Sequence, residues 1–170
     1  MSAEHTLRCY DYVNQPFARV QEALKNDAAG IFNAATQSAS ERAHSLGAQL
    51  RVRVGALEVA TEVRIDVGSP TSEMSSPWGY EISVFPLEWG SLSNPSLFPK
   101  MKAKLRVYPI SSRETQLELE GGYDPPLGLL GDALDALVGH RIAEASALRF
   151  MQDVAALLRA RLAEPARAEA

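Results

Sequence analysis

The chain has 170 residues, 46% of them apolar, and a formal net charge of −4 from 17 basic and 21 acidic residues mixed along its length. That size and composition fit one domain over residues 1–170, with the last few residues frayed, and exclude a disordered class. The mild acidity argues against a nucleic-acid partner, and no run approaches the ~20 apolar residues that stable membrane insertion requires.

The first residues, MSAEHTLR, lack the apolar core of a secretion signal, and Cys9 is the only cysteine, so no intrachain disulfide can form. Both point to a reducing, cytoplasmic setting. From His5 to Val13 the residues alternate, with Leu7, Cys9 and Val13 on one side and Arg8, Tyr10 and Tyr12 on the other, which predicts a strand. Pro16 suits a helix start, and Phe17, Val20, Ala23 and Leu24 follow at helical spacing. Gly30 interrupts that pattern and Ile31-Phe32 resumes it, so two short helices are expected. The small, polar stretch from Ala34 to Gly47 reads as a loop with some helix.

From Leu50 the period becomes two. Leu50, Val52 and Val54 are followed across Gly55 by Leu57, Val59, Val63, Ile65 and Val67, as in strands broken by a bulge or turn. Gly68 to Pro77 reads as a connection. Tyr80, Ile82 and Val84 open another strand, and Pro86 suggests an edge or bend before Trp89. Gly90 to Pro99 reads as a second loop. Met101 to Val107 alternates cleanly, its basic residues Lys102, Lys104 and Arg106 forming the wet face. Thr115, Leu117 and Leu119 against Gln116, Glu118 and Glu120 make its hairpin partner.

A long closing helix then follows. Asp124 can cap it, Pro125 fits its first turn, and a start nearer Asp132 would remove Gly128 and Gly131 from its interior. Leu130, Leu134, Leu137, Leu148, Met151, Ala155, Leu158 and Leu162 form one stripe at 100° per residue. Arg141 and Glu144 also fall within it, three residues apart, with His140 at its margin. Either the pair is solvated at the edge of the stripe, or it meets the polar group of a ligand where the helix crosses an open space.

Strand, two short helices, antiparallel strands and a long closing helix define an α+β fold. The segment from Leu117 through Gly121-Gly122-Tyr123-Asp124-Pro125-Pro126-Leu127-Gly128 to Arg141-Ile142-Ala143 carries a resemblance, as does Trp89 followed by Phe98-Pro99. Over nearly its whole length the chain resembles the helix-grip superfamily, also called START-like or SRPBCC, which includes polyketide cyclase/dehydrase-like proteins. The resemblance implies a curved antiparallel sheet wrapped around the C-terminal helix, with a cavity between the sheet and the first half of that helix. The lining it implies draws on Tyr80, Ile82, Val84, Met101, Ala103, Leu105, Leu134, Leu137, Arg141 and Glu144. Trp78, between Pro77 and Gly79, reads as a loop residue able to close an opening.

Catalytic patterns are sparse. His5, His44 and His140 stand far apart, so no metal site is expected, and no nucleotide or other cofactor motif is present. Cys9 reads as a small buried hydrophobe. The acid–base candidates are Tyr10, Asp11, Tyr12, Tyr80, His140, Arg141 and Glu144, and nothing in the sequence pairs them. The expected function is binding or carrying a small apolar molecule of lipid, isoprenoid or aromatic polyketide type. A cyclase or dehydratase using a cavity acid or base, and an interaction protein with a filled core, are the alternatives. Self-association as a homodimer stays open.

Overall fold

A computed structural model describes residues 5–54, 63–91, 100–124 and 133–163. Strand β1 (His5–Val13) leads into helix α1 (Phe17–Val54), followed by β2 (Val63–Val67), β3 (Thr71–Met74), β4 (Glu81–Ser91), β5 (Lys100–Pro109), β6 (Thr115–Asp124) and helix α2 (Ala133–Ala163). The six strands form one sheet in the order β1-β6-β5-β4-β2, with β3 also paired to β4. Every pairing is antiparallel.

One face of the sheet holds the core. Leu7 and Val13 of β1, Phe85, Leu87 and Trp89 of β4, Leu105 and Val107 of β5, and Leu117 and Leu119 of β6 point toward the helices. There Phe32 of α1 meets Phe85 edge-on at 5.8 Å, and Phe150 of α2 meets Trp89 edge-on at 5.0 Å. Such aromatic pairs add to the area they bury. Odd-numbered positions face inward throughout β1, β4, β5 and β6, as the alternation of side chains along a strand requires.

Several sequence expectations are corrected. Two helices do follow β1, meeting at a kink at Asp27, whose φ of −151° and ψ of 49° are not helical, but together they span 38 residues and the second is not short. Asp27 rather than Gly30 makes the break: its carboxylate accepts the N–H of Gly30 at 3.0 Å and so caps the second segment. A Cβ on Gly30 would lie 2.4 Å from that carboxylate oxygen, so the interruption read at Gly30 belongs to the cap. The expected loop from Ala34 to Gly47 and the expected strand at Leu50, Val52 and Val54 are helix. This stretch is rich in Ala, with several Arg and Gln, and no proline stands between Pro16 and Pro70 to stop it. Leu57 and Val59 lie outside the described residues.

The expected connection from Gly68 to Pro77 contains β3, whose hairpin to β4 closes through the Ser75 N–H and the Tyr80 carbonyl at 2.9 Å. Gly79 in that turn has φ +69°, a conformation glycine adopts without steric cost. Pro86 neither ends nor bends β4 out of the sheet. The outer side of β4 is handed from β2, where Val67 faces Leu87, to β3, where Thr71 faces Val84. Pro86 sits at that hand-over, its carbonyl accepting the Gly68 N–H at 2.8 Å. A residue's nitrogen and carbonyl point toward the same neighbouring strand. The missing N–H therefore falls in the gap between β2 and β3, where no ladder bond is lost.

Asp124 closes β6 opposite Lys100, and the helix start it is expected to cap lies outside the described residues. Helix α2 is described from Ala133 onward, and the start expected near Asp132 lies outside the described residues. Its buried residues are Ala143, Ala147, Phe150, Met151, Val154, Ala155 and Leu158, whereas Leu148, placed in the stripe from sequence, is 45% exposed. The leucine-based stripe is thus off by about 60° at 100° per residue. Arg159 ties this helix to β1 through Asp11 at 3.0 Å and the Tyr12 carbonyl. Arg161 ties it to Asp27 at the break in α1 at 2.7 Å.

Candidate functional site

The re-phased face of α2 changes which polar residues matter. His140 falls on the side that faces the sheet, and Arg141, one residue on, is exposed. Glu144 pairs with His140 rather than Arg141, its carboxylate 3.1 Å from Nε2 at i,i+4 spacing. The other imidazole nitrogen, Nδ1, lies 2.8 Å from the hydroxyl of Tyr123, and the two rings stack at 6.0 Å with 27° between their planes.

Tyr123 comes from the last turn-proximal residues of β6, at an odd position that continues the inward row of Leu117 and Leu119. It stands opposite Met101 on β5 and His5 on β1. Only 3% of it is exposed. A buried phenol needs a hydrogen-bond partner, and His140 supplies one. The side chains of His140 and Glu144 are 35% and 57% exposed, so the chain of three leads outward from the interior toward solvent. Burial first, and then the nearby Glu144 carboxylate, push the Tyr123 phenol above its ordinary value, which keeps it protonated.

Around this group the wall is apolar and tight. Met101 is half-buried beside the core and Ala103 is buried. Across from Ala103, Gly121 is held so close to β5 that a Cβ on it would lie 2.5 Å from both the Ala103 Cβ and the Lys102 carbonyl oxygen. Trp89 anchors the same end of β4 and donates its indole N–H to Thr36 of α1 at 3.2 Å.

Of the residues expected to line a cavity, Met101, Ala103 and Leu105 share this inner face. Tyr80, Ile82 and Val84 do not. They occupy even positions, on the face of the sheet away from the helices, where Tyr80 stacks on Tyr108 at 5.9 Å. Both parities of β4 are apolar around Ile82, Val84, Phe85 and Leu87, and the two aromatic residues decide which faces the helices. The side chains of Leu134 and Leu137, on the first turns of α2, lie outside the described residues.

The remaining acid–base candidates are dispersed. Tyr10 and Tyr12 are exposed on the outer face, and Asp11 is bound to Arg159. Trp78 is exposed in the β3–β4 hairpin, at the end of the sheet opposite Tyr123. Tyr123 was read from sequence only as part of the turn motif. Its signal was parity: it keeps step with Thr115, Leu117 and Leu119.

Two other groups are chemically quiet. Glu118 is 3% exposed on the outer face, held by Arg8 Nε and the Tyr108 hydroxyl, each at 2.8 Å. The Cys9 thiol is pushed up to about 11 by burial, with Asp11 adding to it, which makes it a poor nucleophile. Among the described residues no group of His, Cys, Asp and Glu could hold a metal ion, and no helix is long and apolar enough to cross a membrane. An open groove of about 650 Å³ crosses the outer face between Asp66, Pro86, Glu88, Lys102, Lys104 and Glu120. Its charges of both signs suit solvent better than an apolar molecule.

No family model matches the sequence, and no curated protein matches it. Among solved structures, the chain is similar to the Zhui aromatase/cyclase from Streptomyces sp. R1128, at 11% identity and a TM-score of 0.51, covering 94% of this chain and 96% of that one. It is also similar to norcoclaurine synthase from Thalictrum flavum, at 8% identity and a TM-score of 0.46, covering 98% and 91% of the two chains. With the antiparallel sheet and closing helix described above, the first of these likenesses shows the fold. The chain has the helix-grip fold expected from its sequence.

Proposed function

We propose that the chain binds a small, largely apolar molecule of lipid, isoprenoid or aromatic polyketide type between the sheet and α2, at the end where Tyr123 meets His140. The observation that carries this reading is the Tyr123 hydroxyl: one polar group, buried and oriented, set beside Met101 and Ala103. Small-molecule sites are mostly apolar with a few such groups to fix orientation. The similarity to the structure of an aromatase/cyclase is compatible with an aromatic ligand class. Native mass spectrometry of gently purified protein, with thermal shifts across a lipid, isoprenoid and polyketide panel, tests the proposal. A genuine ligand at 100 times its Kd raises stability by about 2.7 kcal/mol, and Tyr123→Phe is expected to weaken that shift. A panel with no shift and no co-purifying molecule would overturn it.

A second reading, a cyclase- or dehydratase-type enzyme, is favoured by one observation. Tyr123, His140 and Glu144 form a continuous hydrogen-bonded chain from the interior to solvent, along which a proton can move. For that reading His140→Gln would abolish turnover while leaving binding in place. A carrier would lose neither its ligand nor any reaction.

A further inference from the structure

We propose that the two hairpin tips carrying Met74, Trp78 and Ile110 dock the protein reversibly on the surface of a zwitterionic phospholipid membrane. Trp78 is 77% exposed, Met74 67% and Ile110 50%. Met74 ends β3, Trp78 lies between β3 and β4, and Ile110 opens the turn between β5 and β6. Because β4 and β5 are neighbours with Ser83 opposite Val107, both turns project from the same end of the sheet. Tyr12, also exposed, reaches that end on β1, opposite Gln116, which in turn stands opposite Tyr108. Four of the six large apolar or aromatic side chains exposed among the described residues thus gather at one end. Exposed apolar residues scattered singly are ordinary, and a gathered set marks a contact surface. This end is the one away from Tyr123, so the inference stands apart from the binding reading.

The geometry favours lipid over protein. Three side chains offer roughly a few hundred Å², short of the about 1,000 Å² that a specific protein interface buries. The tip also stands clear, with nothing within 4 Å of a Cβ placed on Gly79. Its backbone is satisfied internally. The Ser75 N–H donates to the Tyr80 carbonyl at 2.9 Å and the Gly79 N–H to the Ser75 carbonyl at 2.7 Å. In the other turn, the Ile110 and Ser111 N–H groups donate to the Glu114 carbonyl at 3.0 and 3.3 Å. Turns paired in this way enter a headgroup layer with little loss of hydrogen bonds to water. Behind the tips stand Tyr12 and the stacked Tyr80 and Tyr108, amphipathic rings of the kind enriched at headgroup level. The only charged residues in the two turns are Arg113 and Glu114, one of each sign, and the chain's net charge of −4 disfavours an anionic surface. A phosphocholine headgroup carries one charge of each sign and matches them.

The chain's two tryptophans make the test direct. Trp89 is 4% exposed and bonded to Thr36, so its emission is a fixed background. The full chain mixed with dioleoylphosphatidylcholine vesicles is expected to co-sediment with them, to shift its Trp78 emission to the blue, and to be quenched by brominated phosphatidylcholine. Trp78→Ser should remove the shift and the quenching and weaken the partition by about tenfold. Ile110→Ser should weaken the partition while Trp78 still reports it. Both side chains are exposed, so neither substitution should disturb the fold. Leu148→Ser, equally exposed but on α2, should change nothing. Absence of any vesicle response, or co-sedimentation that survives Trp78→Ser and Ile110→Ser together, overturns the proposal. So does self-association that Trp78→Ser abolishes without any vesicle response, which would assign the tips to protein contact. Tighter binding to phosphatidylglycerol vesicles would overturn the zwitterionic assignment.

Discussion

Gly121 is the residue on which the geometry beside Tyr123 turns. Its missing Cβ leaves the space that the Ala103 Cβ and the Lys102 carbonyl already occupy, and neither of those atoms is the tip of a flexible side chain. Gly121→Ala is therefore expected to destabilise the protein by about 1–3 kcal/mol, measured by urea unfolding. Gly90→Ala is the control, since nothing lies within 4 Å of a Cβ there, and a change within about 0.5 kcal/mol is expected. Sequence inspection reached this scale unevenly. It selected His140 and Glu144 as candidates but joined Glu144 to Arg141, because spacing of three and four residues both bring side chains together on a helix. It placed Glu118 on a wet face by alternation. Arg8 and Tyr108 bury it there, and cross-strand cover of that kind is not written in the period of one strand.

Among the elements, α1 carries the clearest coupling. The Asp27 carboxylate accepts the Gly30 N–H with one oxygen and meets Arg161 of α2 with the other. In an ordinary helix, glycine to alanine gains about 1 kcal/mol. Gly30→Ala is expected to forfeit that gain, because its Cβ would displace the carboxylate from both partners. In an Asp27→Ala background the same change should stabilise, so a double-mutant cycle by thermal unfolding would read a clear coupling. Additive effects would refute this account of the break. The helix α2 teaches a related lesson about legibility. Counting leucines placed its buried face about 60° away from the true one, because Ala143, Ala147 and Phe150 outweigh Leu148 against the sheet. Small residues mark where a helix approaches closely, and a hydrophobicity pattern gives them little weight.

For the molecule as a whole, the antiparallel sheet, the β5–β6 hairpin and the closing helix were legible, since β5, β6 and β1 alternate without ambiguity. The length of α1 was not, because a period-two run of valines competes with a helix that nothing terminates. Two carboxylates set the expected acid response. Asp27, held by Arg161 and the Gly30 N–H, and Glu81, held by the Ser72 hydroxyl and Gln21, are both lowered from ordinary values of 3.8 and 4.5. A lowered carboxylate contributes stability above its unfolded value and loses it as the pH falls through its folded one. Stability should therefore decline below about pH 4.5, and Asp27→Asn with Glu81→Gln should flatten that limb of the urea midpoint against pH. An unchanged limb would assign the acid response to other groups.

The division of the outer side of β4 has a consequence for how copies of this chain meet in a crowded solution. A sheet margin made of one long extended strand is a template onto which another chain can add. Here that margin is split at Pro86 into pieces of 5 and 4 residues, β2 and β3, with a proline and a glycine at the seam. At the opposite margin the Tyr12 carbonyl of β1 is already taken by Arg159. The β4 margin thus presents no long unbroken row of open backbone groups among the described residues, so the hand-over that accommodates one proline also guards that margin against growth into a continuous, shared sheet.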